Sequence, residues 1–494
     1  MPFHDLDEDV LASILAFCDI YAVVSFSRVN KSFRRLAQSK QLWLSLVLGL
    51  SARYFIPNLD AIRGYHTAQL ISEARRLMCG PQTWSAKSVL PPTISFSKTF
   101  PGGSQARIVP GGRYFAICRE SILQLCDVLT GRCIWSRSLA GTHGTYWEME
   151  MLDDGDSAIF LFLQHSSVLN TQELSIVQVD LTTGHPDELF HFVLDAPKTS
   201  YRSPVLVGNL LAVGAYPWIM RRQTHILVID WRRRVCLIFE CSTASPRSQV
   251  AFVPGNIIFT TGTVEPPHDQ LITVYTLSSI ASRWRDLSEL ETNAYPADRA
   301  LHIGPEDIRP AVVERLKHKN TVFRYPTNLR DVPEGLSVHM MLHPNPIRHH
   351  AYKLTIYASD AALSTEKLSF KDTLRQRFGR GSRRATGGML FTYKLIVGSP
   401  PEHTLSWTKI SVFPTSPQLM TPLSYAGHAV IYPSGSSNYT KVVNPRLWRP
   451  RFSWNHQTTR DAVVICSGSR RISLADTGAV LVIKPPQIEI LYYI

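Results

Sequence analysis

ILQLCDVLTGRCIW, residues 122–135, is an alternating apolar run ending on Asp127, then a Thr130-Gly131 turn, then a second apolar run. Alternation at period two marks a half-buried strand, and Asp, Thr and Gly between two such runs mark a hairpin. The same phrase returns. Ile176–Asp180 is followed by Thr183-Gly184 and Leu189–Phe192, Ile226–Asp230 by three arginines and Val235–Phe239, and Leu271–Tyr275 by a polar turn and Trp284. The anchor positions 127, 180, 230 and 275 lie 53, 50 and 45 residues apart. An upstream strand precedes each hairpin, at Tyr114–Ile117, Ala158–Phe162, Leu210–Val213 and Asn256–Phe259. A period of this length belongs to four-stranded propeller blades. A β-sandwich seldom repeats itself four times at one spacing.

Downstream the repeat breaks. Residues 285–336 are dense in Arg, Pro, Glu and Asp and read as a long insertion or an irregular blade. Strand runs resume at 337–342, 352–357, 390–397, 407–413, 429–432, 462–466, 479–483 and 488–492. Together they account for six to eight blades, with about seven as the central count. Pro91–Phe100 reads as a strand that closes the ring against the last blade, which removes exposed edges. The fold class expected is mainly β with a small α N-terminal domain.

The first fifty residues follow a different rule. Val10, Leu11, Ile14, Leu15 and Cys18 recur at helical spacing, and Asp7, Glu8 and Asp9 fall where a helix dipole favours negative charge. Ile20–Phe26 forms a second apolar run, and Asn30 is placed to cap a third helix carrying Phe33, Leu36 and Ala37 inward. Trp43 follows on a last short turn. Residues 47–66, with Gly49, Pro57 and Gly64, read as a connector. Thr67 then caps a helix bearing Leu70, Ile71, Ala74, Leu77 and Met78, which Gly80-Pro81 ends. About 40 residues is near the lower limit for a self-stabilising domain. The unit also displays more apolar surface than three short helices can hide from each other, as half of an interface would. A helical lid on a larger core fits the same pattern.

Composition bounds the setting. The chain has 494 residues, 44% of them apolar, with ten tryptophans, enough for a sizeable core. Mean hydropathy is −0.04 and no apolar run reaches the length a bilayer needs. The N-terminus is acidic from its fifth residue, unlike a signal peptide, so a cytoplasmic and/or nuclear location is expected. Eight scattered cysteines with no C-x-x-C pair argue against a zinc cluster and fit a reducing compartment. The net charge of +13 raises non-specific attraction to acidic partners. Nucleic-acid binding is not expected, because aromatics are not interleaved with the basic residues.

Motifs that carry chemistry are missing. There is no phosphate loop, G-x-S-x-G or H-E-x-x-H. His349-His350 would point to opposite faces of a strand and reads as an exposed loop pair. Asp153-Asp154-Gly155-Asp156 lacks the further oxygen ligands of a calcium loop and reads as a hairpin turn. Glu148 and Glu150 do not make an acid–base pair. Arg375–Arg384 lies in a basic Gly/Arg loop at about 370–388 that holds five arginines. It reads as a solvated loop between two blade strands, with contact to nucleic acid or an acidic partner, or nuclear import, as the functional alternative.

Three N-terminal blocks resemble the F-box in spacing, without a gap: Leu6-x-x-x-Val10-Leu11-x-x-Ile14-Leu15, Val29-Asn30-Lys31-x-Phe33-x-x-Leu36-Ala37, and Leu42-Trp43. They cover the first tenth of the chain. Asp7 stands where the family usually has proline, which loses a preset dihedral, and Asn30 replaces the usual Cys or Ser. With the following helix, Trp84 and a β-rich remainder, the chain looks like fungal F-box proteins. The resemblance implies an F-box domain at 1–50, a helical linker at 51–90 and a β-propeller-like target-binding domain at 91–494. It implies a substrate-receptor subunit of a cullin-type ubiquitin ligase, docking on a Skp-type adaptor and through it a cullin, without catalytic residue, cofactor or metal. Its contribution would be proximity. The adaptor contacts implied are Leu6, Val10, Leu11, Ile14, Ile20 and Val29, with Phe33, Leu36 and Trp43 as the F-box's own core. An interaction scaffold without ubiquitin transfer stays open, as does a propeller enzyme or nucleic-acid binder. The target protein is not legible.

Overall fold

In the computed structural model, residues 6–493 are described apart from 57–58, 82–91, 100–104, 110, 120, 140–144, 153–154, 167–170, 195–198, 218–222, 242–247, 264–268, 293–300, 303–307, 319–320, 324–337, 360–362, 366–387, 400–402, 416–418, 421–424, 432–438, 444–461, 468–470, 475–478 and 485–486. Five α-helices come first: α1 (Glu8–Ala16), α2 (Ile20–Phe26), α3 (Lys31–Ala37), α4 (Lys40–Arg53) and α5 (Thr67–Cys79). The caps are local. Asp19 Oδ1 accepts from Ala22 N at 2.6 Å, and Asn30 Oδ1 from Phe33 N at 2.7 Å.

Three expectations need correction here. Trp43 does not sit on a short turn but inside the 14-residue α4, which runs straight through Gly49. A lone glycine costs a helix only about 1 kcal/mol, and burial of Leu42, Trp43, Leu46 and Val47 outweighs that. The 47–66 connector is correspondingly shorter. The cap of α5 is His66 rather than Thr67, with the His66 N–H donating to Gln69 Oε1 at 2.8 Å.

The remainder is a β-propeller. Among the described residues, seven sheets each contain four antiparallel blade strands in succession. Blade one is Gln105–Ile108, Tyr114–Arg119, Ile122–Asp127 and Cys133–Ser138; blade two is Tyr146–Met151, Ser157–Ser166, Thr171–Asp180 and Pro186–Leu194. Blade three is Thr199–Val207, Leu210–Pro217, His225–Asp230 and Val235–Glu240; blade four is Val250–Val253, Asn256–Gly262, Gln270–Thr276 and Val312–Arg315. Blade five is Val338–Pro344, Ala351–Ser359, Gly388–Val397 and Leu405–Thr415; blade six is Leu419–Met420, Ala429–Ile431, Tyr439–Val443 and Ala462–Ser467. Blade seven joins Arg471–Leu474, Ala479–Lys484 and Gln487–Tyr492 to Ile94–Thr99, whose register pairs Ile94 with Tyr492. The ring is therefore closed by a strand from the N-terminal side, as the sequence suggested.

Face-to-face packing of neighbouring sheets supplies the cores. One cluster joins blades seven and one through Phe115, Ile117, Leu481 and Ile490; others join one to two, two to three, three to four, and four to five. A strand sandwiched between two blades loses its alternation: all seven residues of Asn256–Gly262 are buried. The repeated aspartates end third strands. Asp127 Oδ1 accepts from Thr130 N, and Asp180 Oδ1 from Thr183 N and Thr182 N, each at 2.8 Å. Such turns suit Asp, and they explain the 50-residue signal.

The fourth hairpin departs from the pattern of the other three. After Thr276 the chain leaves blade four, adds Arg285–Asp286 and Leu301–His302 to the outer edge of blade three, and returns as Val312–Arg315. Trp284 thus does not start a blade strand, and the irregular stretch contains the last strand of blade four. A small three-stranded sheet of Lys317–His318, Thr321–Phe323 and Leu363–Thr365 lies beside blades four and five in the chain.

Candidate partner-binding site

The N-terminal helices share one core: Leu15, Ile20, Val23, Ala37, Trp43, Val47 and Leu70 pack together. Trp43 Nε1 donates to the Ala37 carbonyl at 2.8 Å, and Phe26 stacks on Phe33 with centroids 4.0 Å apart. Arg35 on α3 pairs with Glu8 on α1, an exposed ion pair that contributes little by itself. Asp7 precedes α1 with φ −60°, the value a proline ring would impose.

Outside that core the unit leaves an apolar stripe uncovered. Val10 is 47% exposed and Phe17, at the end of α1, 91% exposed; Ile14 and Tyr21 are exposed as well. Val10, Ile14 and Phe17, four and three residues apart, lie along one line of α1 and its C-terminal cap, and Tyr21 follows on α2 beyond the extended Asp19. Val29, between α2 and α3, is 67% exposed. Of the six residues expected to meet a partner, Val10, Ile14 and Val29 are at the surface and Leu6 is half-buried. Leu11 and Ile20, at 4% and 5% exposure, belong to the core instead. They face the other helices because α1 and α2 must each bury one side. Phe17 and Tyr21, exposed near Val10 and Ile14, are not among the six, although the seven-residue step from Val10 to Phe17 is legible in the sequence.

The helical unit is seated on one face of the propeller. In an antiparallel blade, first-to-second and third-to-fourth strand turns share a rim, while the other links lie on the opposite rim. Every described seam contact uses the first kind of turn or the end of blade seven. Phe55 N donates to the Gly111 carbonyl at 2.7 Å, and the Phe55 ring packs at a tilt against Tyr492. Gly111 (φ +92°) and Gly155 (φ +73°) carry no Cβ because the carbonyls of Arg53 and Ala52 fill that space. Gly80, ending α5, lies against the His428 ring in the same way. Burial first, then the Lys353 charge, pushes the His428 imidazole down to about 4. Tyr21 N donates to the Ile347 carbonyl at 2.9 Å, and His349 N to Asp19 Oδ2 at 3.0 Å. His349-His350 thus belongs to a seam turn.

Residues 3–45 match the F-box domain. F-box domains are protein-interaction modules that typically bind Skp-type adaptors. No curated protein matches the chain. Among solved structures it is similar to the WD40 domain of SCAP from fission yeast, at 9% identity over 77% of this chain and 82% of that one, with a TM-score of 0.36. It is also similar to the β-propeller domain of the Trilobed protease from Pyrococcus furiosus, at 11% identity over 79% and 91%, with a TM-score of 0.33.

The other singled-out residues fall into structural roles. Glu148 pairs with Arg107 at 2.8 Å and Glu150 accepts from Gly208 N at 2.6 Å, tying blade two to blades one and three. Asp153 and Asp154 lie outside the described residues, as do Trp84 and the Arg375–Arg384 loop. Among the described residues no group of three or more His, Cys, Asp or Glu could hold a metal ion, and no helix is long and apolar enough to cross a membrane.

Proposed function

We propose that this chain is the target-binding subunit of a cullin-type ubiquitin ligase. The observation that carries the reading is the exposed apolar line Val10, Ile14 and Phe17 on α1, with exposed Tyr21 beyond it on α2, in a unit matching the F-box. In this reading the line docks on a Skp-type adaptor, the adaptor bridges to a cullin, and the propeller holds a target protein. Holding a target lysine near a ubiquitin-charged enzyme raises its effective concentration, and no residue of this chain takes part in bond making. The helices occupy the rim of first-to-second strand turns, so the opposite rim is the proposed target face. The setting proposed is cytoplasmic or nuclear.

The test is co-purification of the full chain with the adaptor and the cullin. The wild type should retain both, and Val10→Asp/Ile14→Asp should lose both. Equal adaptor capture by the two proteins sinks the reading. Adaptor capture without cullin would instead identify an interaction scaffold that transfers no ubiquitin.

A further inference from the structure

The turn between the first and second strands of blade five, residues 345–350, reaches into the F-box. Ile347 packs against the cluster that contains Leu15, Ile20 and Val23. Its carbonyl accepts from Tyr21 N at 2.9 Å. The His349 N–H donates to Asp19 Oδ2 at 3.0 Å, while Asp19 Oδ1 caps α2 through Ala22 N. The Arg348 guanidinium lies 4.2 Å from the centroid of the Tyr21 ring. These contacts converge on the cap and first turn of a seven-residue helix, too short to hold itself.

The turn is itself fixed. Asn345 Oδ1 accepts from Ile347 N at 3.0 Å, and Asn345 Nδ2 donates to Tyr425 Oη at 2.7 Å. Asn345 N donates to the Ala351 carbonyl and Val397 N to the His350 carbonyl, each at 2.8 Å. Where Tyr21 stands relative to Val10, Ile14 and Phe17 is therefore decided by a propeller turn.

We infer that Ile347 and His349 are positioning residues for adaptor binding: the blade-five turn completes the F-box and holds α2 in the register that the docking line needs. This rests on the adaptor reading above. The F-box is then built onto the ring rather than tethered to it, and adaptor affinity is coupled to the fold of a propeller turn some three hundred residues away in sequence.

The experiment uses full-length Ile347→Asp and Asp19→Ser, with Ile347→Val as the conservative variant. Serine still caps Ala22 N but has a single oxygen, so the bond from His349 N is lost. Three readouts are taken: hydrogen exchange of the Ile20–Phe26 amides, Kd for the Skp-type adaptor, and thermal melting of the propeller. Ile347→Asp should speed α2 exchange and weaken adaptor binding by about tenfold each, with the propeller melt kept. Asp19→Ser should weaken binding by roughly threefold to fivefold, the value of one hydrogen bond. Ile347→Val should stay within about twofold of wild type, because an apolar swap of similar shape costs little. Unchanged exchange and affinity in Ile347→Asp overturns the inference. If the wild type binds no adaptor, the functional reading fails, and α2 exchange alone decides whether the turn holds the helix.

Discussion

The ring of Tyr492 packs at a tilt of 40° against that of Phe55, with centroids 4.1 Å apart. Tyr492 belongs to the third strand of blade seven and pairs with Ile94, while its hydroxyl donates to the Gly112 carbonyl in blade one. Phe55 follows α4, and its carbonyl accepts from the buried Arg76 of α5 at 3.2 Å. One aromatic contact thus joins the helical unit, the closing blade and the first blade.

Tyr492→Phe keeps the ring contact and loses one hydrogen bond, so it should destabilise by about 1 kcal/mol. Tyr492→Ala removes the ring and should cost about 3–5 kcal/mol. Urea unfolding checks both, and equal midpoints for the two variants would contradict the role given to the ring contact.

Gly111→Ala forces a Cβ onto the Arg53 carbonyl at a left-handed residue. Gly208 is also left-handed, φ +56°, but opens onto free space. Gly208→Ala should therefore cost about 1 kcal/mol, the conformational strain alone, and Gly111→Ala distinctly more. The difference in denaturant midpoint measures the close approach of α4 to blade one.

Phe17 is almost wholly exposed, so Phe17→Ser should leave stability within about 0.5 kcal/mol. It should still weaken adaptor binding by more than about 1 kcal/mol, the threshold for an aromatic anchor. Leu11→Ala should do the reverse, costing about 2–4 kcal/mol of stability because Leu11 is in the core. Calorimetric titration and thermal melting separate the two.

His428 is buried between Gly80 and the Lys353 side of the seam, and its imidazole titrates at about 4 rather than 6.5. The unfolded chain takes up a proton below about 6.5, whereas the folded chain does not until about 4. Stability from this site is complete above pH 6.5 and falls as the pH drops towards 4, by something on the order of 3 kcal/mol. In His428→Gln the urea midpoint should lose this part of its pH dependence; an unchanged slope would contradict the account.

Asp7 holds φ at −60° without a ring. Asp7→Pro should raise stability by about 0.4–1 kcal/mol by restricting the unfolded chain. A fall in melting temperature would show that the Asp7 side chain or N–H does work that its dihedral does not reveal.

Local chemistry accounts for what could be read directly. The Asp-Thr-Gly turns after Asp127 and Asp180 are set by side chain-to-backbone bonds within three residues, so the blade period shows in the sequence. Ile94–Thr99 could be assigned as the closing strand because a ring leaves an edge to fill. The wandering path after Thr276 could not, since strand pairing with blade three depends on sheet edges that local pattern does not encode. In the F-box, apolar spacing separated helix from loop but not inside from outside. Leu11 and Val10 are adjacent and equally apolar, and only the packing of four helices decides that one is buried and the other shown.

By itself, the sequence determined that the chain carries an F-box-like helical unit followed by about seven β blades, because helical and strand periodicities and turn chemistry are local. Tertiary structure alone decided that the helices sit on one rim of the propeller, that Gly111 and Gly155 admit them, and that Ile347 fills their core. Those relationships join residues from 58 positions apart (Arg53 and Gly111) to 327 (Ile20 and Ile347), and they follow from the shape of packed surfaces rather than from any periodic pattern along the chain.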